Sequence, residues 1–206
     1  MSIVTGARRM AVAGPTSQRR KPMSSHVRPR LTMALTAAMA ALVIGGLTAA
    51  PASASNSYTG AAYIGGQGDF MDDWTDEGIL STSSNTNSNA TCLWQKVLWS
   101  YGYLSWGEVD GRFGSATKTA TVNFQTKWMG LKYADGAAGK DTFTAASGHA
   151  PFAHGYGLAT DNGSGVTTYV GSKHSFNLWR NGDGHYDFYD SSGVVRSAGY
   201  NYLTCT

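Results

Sequence analysis

An eight-residue motif occurs twice in this chain, and it constrains the fold more than any other feature. Residues 110–117 read D-G-R-F-G-S-A-T, and residues 135–142, twenty-five positions later, read D-G-A-A-G-K-D-T. An Asp-Gly pair makes a tight turn, and the second glycine permits a close approach of the backbone. The polar residues that follow can satisfy the first N–H groups of a helix. Each copy therefore predicts a turn that begins a helix.

Hydrophobic spacing around the two copies predicts three helices. The first ends at Gly102 and is indicated by apolar residues at helical intervals: Leu93, Trp94, Val97, Leu98 and Tyr101. A second follows Gly114 and ends at Gly130, with a buried face of Ala116, Ala120, Val122, Phe124 and Trp128. A third, shorter helix fits residues 140–146.

The pattern changes to alternation after Gly165. Residues 166–170, 175–180, 185–189 and 194–203 alternate apolar with polar side chains and are separated by turn-forming clusters. The expected fold class is α+β, a three-helix module followed by a small antiparallel β-meander. A sheet of under fifty residues is marginal alone, so we expect it to pack on the helices.

The first 54 residues differ in composition from the rest. Residues 1–30 contain seven basic residues and no acid, residues 31–50 are apolar or small, and Ala52-Ser53-Ala54 is a small-x-small cleavage site. This is typical of a secretory signal peptide with Ser55 as the first mature residue; the alternative is an uncleaved membrane anchor. We expect a secreted protein that meets the membrane only through this peptide.

The net charge and the cysteines are considered for the part that remains after cleavage of the signal peptide. The mature part keeps nine basic and thirteen acidic residues, a net charge of −4, which excludes the basic patch that nucleic acid requires. Both cysteines, Cys92 and Cys205, lie in the mature part, and an exported protein meets an oxidising environment. A Cys92–Cys205 disulfide is the simplest prediction, and two separate buried thiols are the alternative.

Residues 55–88 form an expected N-terminal arm before the helices. Their end, residues 81–89, is rich in Ser, Thr and Asn and predicts an exposed linker. The arm also holds apolar residues that predict partial packing, as a short hairpin: Tyr63, Ile64, Phe70, Trp74, Ile79 and Leu80. The expected boundaries are the signal peptide at 1–54, the arm at 55–88, the helical module at 89–147 and a β-rich extension at 148–206.

The helical region resembles the peptidoglycan-binding domain family, in which a L-Q-x-x-L-x(3)-G-Y helix precedes two D-G-x-x-G-x-x-T copies. The matching positions here are Gln95, Leu98, Gly102, Tyr103, Asp110, Gly111, Phe113, Gly114, Thr117, Ala120, Phe124, Gln125, Gly130, Leu131, Asp135, Gly136, Gly139 and Thr142. The resemblance covers about fifty-five of the 152 mature residues. Trp94 and Thr121 depart from the family's usual Leu and Val, and the spacers before Gly130 and Asp135 are each about one residue longer.

The resemblance implies a secreted, wall-associated protein that binds peptidoglycan glycan strands or stem peptides, without catalysis, cofactor or metal. Such recognition needs flat aromatic faces and directed polar groups. The candidate contacts are Tyr103, Trp106, Asp110, Arg112, Trp128 and Tyr133. Alternative roles are a core position for Tyr103, a cap on the core for Trp128 and turn formation for Asp110, whereas Trp106 lies in a polar loop.

Two other functions stay open at this point. Residues 154–161 read H-x-x-G-x-A-x-D and resemble the first zinc-ligand motif of the D-alanyl-D-alanine carboxypeptidase family, through His154 and Asp161. A zinc peptidase also needs a third ligand and a general base, yet no Glu follows Glu108, so His185 with a nearby Asp would have to serve. The third possibility is a scaffold that binds a protein through the sheet aromatics Tyr186, Phe188, Tyr189, Tyr200 and Tyr202.

Overall fold

The computed structural model describes residues 60–159 and 165–206. The predicted signal peptide, the start of the arm and Asp161 lie outside the described residues. Within those two ranges, no helix has the length and apolar character needed to cross a membrane.

Three helices form where the spacing and the repeated motif predict them. They are α1 (Asn89–Ser100), α2 (Ser115–Trp128) and α3 (Lys140–Ser147), with a short 3-10 turn (Trp106–Glu108) between the first two. The Ser88 side chain caps α1 by accepting from the Thr91 N–H at 3.0 Å. Helices α2 and α3 each begin directly after the second glycine of a motif copy, at Gly114 and Gly139.

The C-terminal part is a five-stranded antiparallel meander in the order β1-β2-β3-β4-β5. The strands are β1 (Gly157–Leu158), β2 (Val166–Val170), β3 (Ser175–Arg180), β4 (Tyr186–Tyr189) and β5 (Val195–Ser197). The α+β prediction is confirmed. β1 was not predicted, and β5 is shorter than expected; beyond it the chain pairs with the arm. There Ile64 N–H donates to Ala198 O at 3.0 Å, and Tyr200 N–H donates to Ala62 O at 2.9 Å.

The arm belongs to the same hydrophobic core as the helices and the sheet. Trp74 is fully buried and contacts Phe143 of α3 and Tyr169 of β2, with ring centroids 5.8 and 5.6 Å apart. Asp73 is also buried and accepts from Arg180 and from the Tyr186 hydroxyl, both at 2.6 Å. One face of the meander is buried in the core that it shares with the helices and the arm, which explains why so short a sheet is ordered.

The C-terminal tail is held against the start of α1. A disulfide joins Cys92 of α1 to Cys205, with 6.4 Å between the Cα atoms, so the predicted pairing is confirmed. The Asn89 side-chain oxygen accepts from the N–H groups of Thr204 at 2.8 Å and Cys205 at 3.1 Å.

The two residues that depart from the family pattern contact each other. Both are completely buried, and the Trp94 indole N–H donates to the Thr121 hydroxyl at 2.9 Å. A buried indole N–H needs an acceptor, which a valine at position 121 would not supply. The two departures therefore form one interaction that joins α1 to α2.

Candidate functional site

Gln95 of α1 organises the first motif copy. Its side-chain oxygen accepts from the N–H groups of Asp110 at 3.0 Å and Gly111 at 2.7 Å. Its nitrogen lies 3.0 Å from each of three oxygens: Asp110 Oδ1, Arg112 O and Thr117 Oγ1. One buried amide thus holds residues 110–113, which we call the first turn.

Gln125 of α2 does the same for the second copy. Its oxygen accepts from the Gly136 N–H at 2.9 Å. Its nitrogen contacts Asp135 Oδ1 at 2.8 Å, Ala137 O at 2.9 Å and Thr142 Oγ1 at 3.2 Å. Residues 135–138, the second turn, are therefore built on the same hydrogen-bond pattern as the first.

The C-terminal tail lies on the first turn, whereas the arm pairs with both turns. At the first, a Cβ on Gly111 would meet Leu203 Cδ1 at 2.2 Å and Cys205 Cβ at 3.6 Å, because the C-terminal tail lies on this glycine. At the second, the arm pairs with the turn, and Leu80 and Ala138 exchange N–H to O bonds of 2.9 Å. The side of the second turn beyond Leu80 opens into a groove.

This groove, which we call the second groove because it borders the second turn, encloses about 370 Å³ between that turn, the end of α2 and the start of α3. Tyr133 is 85 % exposed on its wall, and Ile79 and Leu131 are 45 % and 37 % exposed. Three charged side chains also line it, namely Asp135, Lys140 and Asp141. Burial raises the pKa of Asp135, but hydrogen bonds from the Ala137 N–H and Gln125 outweigh it, so the net pKa is lowered.

A first groove of about 350 Å³ lies between the 3-10 turn and α2. Its lining is mostly uncharged: Tyr103, Leu104, Glu108, Ser115, Ala116, Thr119, Ala120 and Asn123. Tyr103 is half-buried, and its hydroxyl accepts from the Trp128 indole N–H at 3.1 Å.

The structure distributes the predicted contact residues over separate places. Tyr103, joined to Trp128, lines the first groove, and Tyr133 lines the second. Trp106 is 39 % exposed but lies outside both linings, beside Trp99 at a ring-centroid distance of 4.7 Å. Asp110 is tied to Gln95, and Arg112 is exposed with its backbone bridged to Asn87. The six candidates do not form one site.

Residues 87–146 match the family model of the peptidoglycan binding domain. No curated protein and no solved structure matches the chain. The match includes α1, α2, most of α3 and both turns, and it supports peptidoglycan binding by this module. The predicted resemblance is confirmed for that segment.

The residues of the zinc hypothesis are not grouped as a metal site in the described part of the chain. His154 packs in an aromatic cluster, with ring centroids 5.1 Å from Trp128 and 5.9 Å from Tyr156, and burial lowers its pKa. His185 stacks on Tyr63 at 4.0 Å. Across residues 60–159 and 165–206, no three His, Cys, Asp or Glu side chains are grouped so that they could hold a metal ion.

The five aromatic residues of the scaffold hypothesis differ in their exposure to solvent. Tyr186, Phe188 and Tyr200 are buried in the core, whereas Tyr189 and Tyr202 are 50 % and 36 % exposed.

The second groove also contains residues that the sequence did not indicate as candidate contacts. Ile79, Leu131 and Lys140 line the second groove. Gln95 and Gln125 were part of the motif, but their role as centres of the turns was not predicted. One signal was present in the sequence: Tyr103 and Tyr133 each follow their glutamine by eight residues.

Proposed function

We propose that this is a secreted, non-catalytic, wall-associated protein that binds peptidoglycan and holds the stem peptide in the second groove. The observation that carries the proposal is this groove's exposed Tyr133, in a segment that matches the peptidoglycan-binding family. Contiguous apolar side chains exposed at a concave surface mark a binding site more often than isolated ones do.

The side chains of the second groove suit a peptide with both kinds of charge. Lys140 offers an ammonium group, and Asp135 and Asp141 offer carboxylates. Stem peptides carry amino and carboxyl groups next to small apolar side chains, for which Leu131 and Ile79 supply an apolar surface. Gln125 holds the second turn in place, so this turn loses little conformational entropy when a ligand binds.

Retention on insoluble peptidoglycan tests this function. The purified exported protein is mixed with peptidoglycan and sedimented, and release of muropeptides and free D-alanine is measured in the same tube. We expect retention without release. Release would contradict the non-catalytic function, and absence of retention would contradict binding.

Tyr133→Ala tests the groove. We expect at least a tenfold loss of affinity with little change in the thermal transition, because the side chain is 85 % exposed. Tyr189→Ala is the matched control, since Tyr189 is an exposed tyrosine on the sheet. Equal affinity of both variants would place the contact elsewhere.

Export is tested with the natural leader in a bacterial host. We expect protein in the medium with Ser55 at its N-terminus, as the Ala52-Ser53-Ala54 site predicts. Protein retained in the membrane with residues 1–54 attached would show an anchor instead.

A further inference from the structure

We propose that the first groove is a second ligand site, which takes the sugar rings of the glycan strand while the second groove takes the peptide. This inference rests on the proposed function, because it assigns a different part of the same polymer to each groove.

The two grooves share part of the repeat, although the second turn lines the second groove and the first turn does not line the first. Tyr103 lies eight residues after Gln95, and Tyr133 lies eight residues after Gln125. Each groove is also lined by the first two residues of the next helix, Ser115 and Ala116 in one case and Lys140 and Asp141 in the other. Their volumes, about 350 and 370 Å³, are nearly equal. Both grooves therefore combine a tyrosine with the start of a helix in a concave surface of similar size.

The chemistry of the first groove differs from that of the second. Hydroxyl and amide groups of Ser115, Thr119 and Asn123 line it together with the Tyr103 ring. Among the described residues, Glu108 is the only charged side chain in the lining. A carboxylate without a neighbouring cation accepts hydrogen bonds from sugar hydroxyls but repels the carboxylates of a stem peptide. A neutral sugar ring can pack on the tyrosine face while its hydroxyls reach the polar side chains.

The walls of the first groove are fixed before any ligand arrives. The Tyr103 hydroxyl accepts from the Trp128 indole at 3.1 Å, and its ring lies 6.2 Å from that of Tyr101. Glu108 accepts from the Ser105 N–H at 2.7 Å and from the Ser105 hydroxyl at 2.8 Å. These hydrogen bonds lower the pKa of Glu108 and so favour its carboxylate form. A rigid wall loses little conformational entropy when it binds a sugar.

A matched pair of blocking variants tests the assignment. Ala116→Trp fills the first groove, and Asp141→Trp fills the second from the corresponding position of α3. The probes are a peptide-free N-acetylglucosamine tetrasaccharide and a synthetic stem peptide, each titrated by calorimetry into the full exported protein. We expect Ala116→Trp to weaken tetrasaccharide binding at least tenfold and to leave peptide binding unchanged, and Asp141→Trp to do the reverse.

The outcomes separate this inference from the proposed function. Tetrasaccharide binding that survives Ala116→Trp, or that is lost with Asp141→Trp, overturns the first groove as the sugar site. Absence of tetrasaccharide binding by the parent protein, with retention on insoluble peptidoglycan, overturns the inference alone. Absence of that retention overturns the proposed function. Asn123→Ala provides a second reading if the Ala116 variant does not fold, and we expect it to weaken tetrasaccharide binding severalfold, whereas unchanged binding contradicts the site.

Discussion

Helices α1 and α2 each carry a glutamine that holds a turn of the repeated motif, but the two helices differ in burial. In α1, eleven of the twelve residues are buried, so this helix is the centre of the core. In α2, only five of the fourteen are buried, so most of its surface faces solvent. The residues that follow the glutamines show the same difference, because Lys96 is buried and Thr126 is exposed.

The difference shows that the repeated motif specifies a local structure and that its surroundings decide its use. Both glutamines hold their turns through nearly the same hydrogen bonds. The first turn is covered by the C-terminal tail and stabilises the molecule, whereas the second borders an open groove. Four changes would break or sharpen this contrast.

The largest effect is expected from removing the glutamine amides. Gln95→Ala leaves two backbone donors, on Asp110 and Gly111, without their acceptor, and Gln125→Ala leaves one, on Gly136. An orphaned buried donor costs about 1–3 kcal/mol, so we expect Gln125→Ala to lower the free energy of unfolding by about 1–3 kcal/mol and Gln95→Ala to lower it by more, up to about 6 kcal/mol. Urea denaturation measures both, with the exposed Thr126→Ala as control. Equal losses for the two variants would contradict the contrast between the turns.

Removing the disulfide should uncover only the first turn. Cys205→Ser opens a loop with a sequence separation of 113, for which chain entropy gives about 4–5 kcal/mol. Because Leu203 and Cys205 lie on Gly111, we expect faster amide hydrogen exchange at residues 110–113 and unchanged exchange at residues 135–138. Faster exchange in both turns would show that the tail stabilises the whole module.

The elements of the fold were predictable because they depend on local spacing. Apolar periodicity located α1 and α2, the second copy of the motif located α3, and alternation placed β2 and β3 at the observed residues. The arm was only partly predictable. Residues 81–88 are polar as a linker would be, but Thr86 O accepts from Phe113 N–H at 2.6 Å and Ser88 N–H donates to Gly111 O at 3.0 Å. Such backbone pairing depends on where the turns lie in three dimensions, which composition does not encode.

The candidate site was less predictable than the fold because exposure depends on long-range packing. Tyr103 and Tyr133 follow equivalent glutamines, yet one is half-buried and the other is 85 % exposed. Trp106 is exposed as its polar loop suggested, but it packs beside Trp99 and lines neither groove. Residue type identified aromatic candidates, and only the tertiary structure separated them.

The arm that covers the second turn should loosen as the pH rises. Glu77 is buried three residues before Leu80, accepts from the Gly65 N–H at 3.1 Å and bonds to the Tyr200 hydroxyl. Burial raises the pKa of Glu77 from 4.5 to about 8. Between these values the folded state keeps a proton that the unfolded chain has lost, so stability is fully present below pH 4.5 and falls as the pH rises to 8.

Glu77→Gln should remove this fall, which is on the order of 5 kcal/mol. The measurement is urea denaturation at pH 4.5, 6 and 8, together with hydrogen exchange at Ala138 and at Gly111. After correction for the intrinsic exchange rate, we expect the protection of the Ala138 amide to fall as the pH rises and that of the Gly111 amide to stay constant. A parallel change at Gly111 would show that the pH dependence is global.

Lys96 provides the smallest and opposite effect, on the buried helix. Its ammonium donates to Tyr189 O and lies 4.7 Å from the Phe176 ring centroid, and burial lowers the pKa of Lys96 from 10.5 to about 8. Between pH 8 and 10.5 the unfolded chain holds a proton that the folded state has lost, so stability rises with pH by an amount on the order of 3 kcal/mol. Lys96→Met should abolish this rise, because a thioether fills the same space without a charge to desolvate.

Thr126→Lys, at the corresponding exposed position of α2, should add no pH dependence. A rise that persists in Lys96→Met would assign it to another group, and a new slope in Thr126→Lys would mean that α2 is less exposed than its side chains indicate.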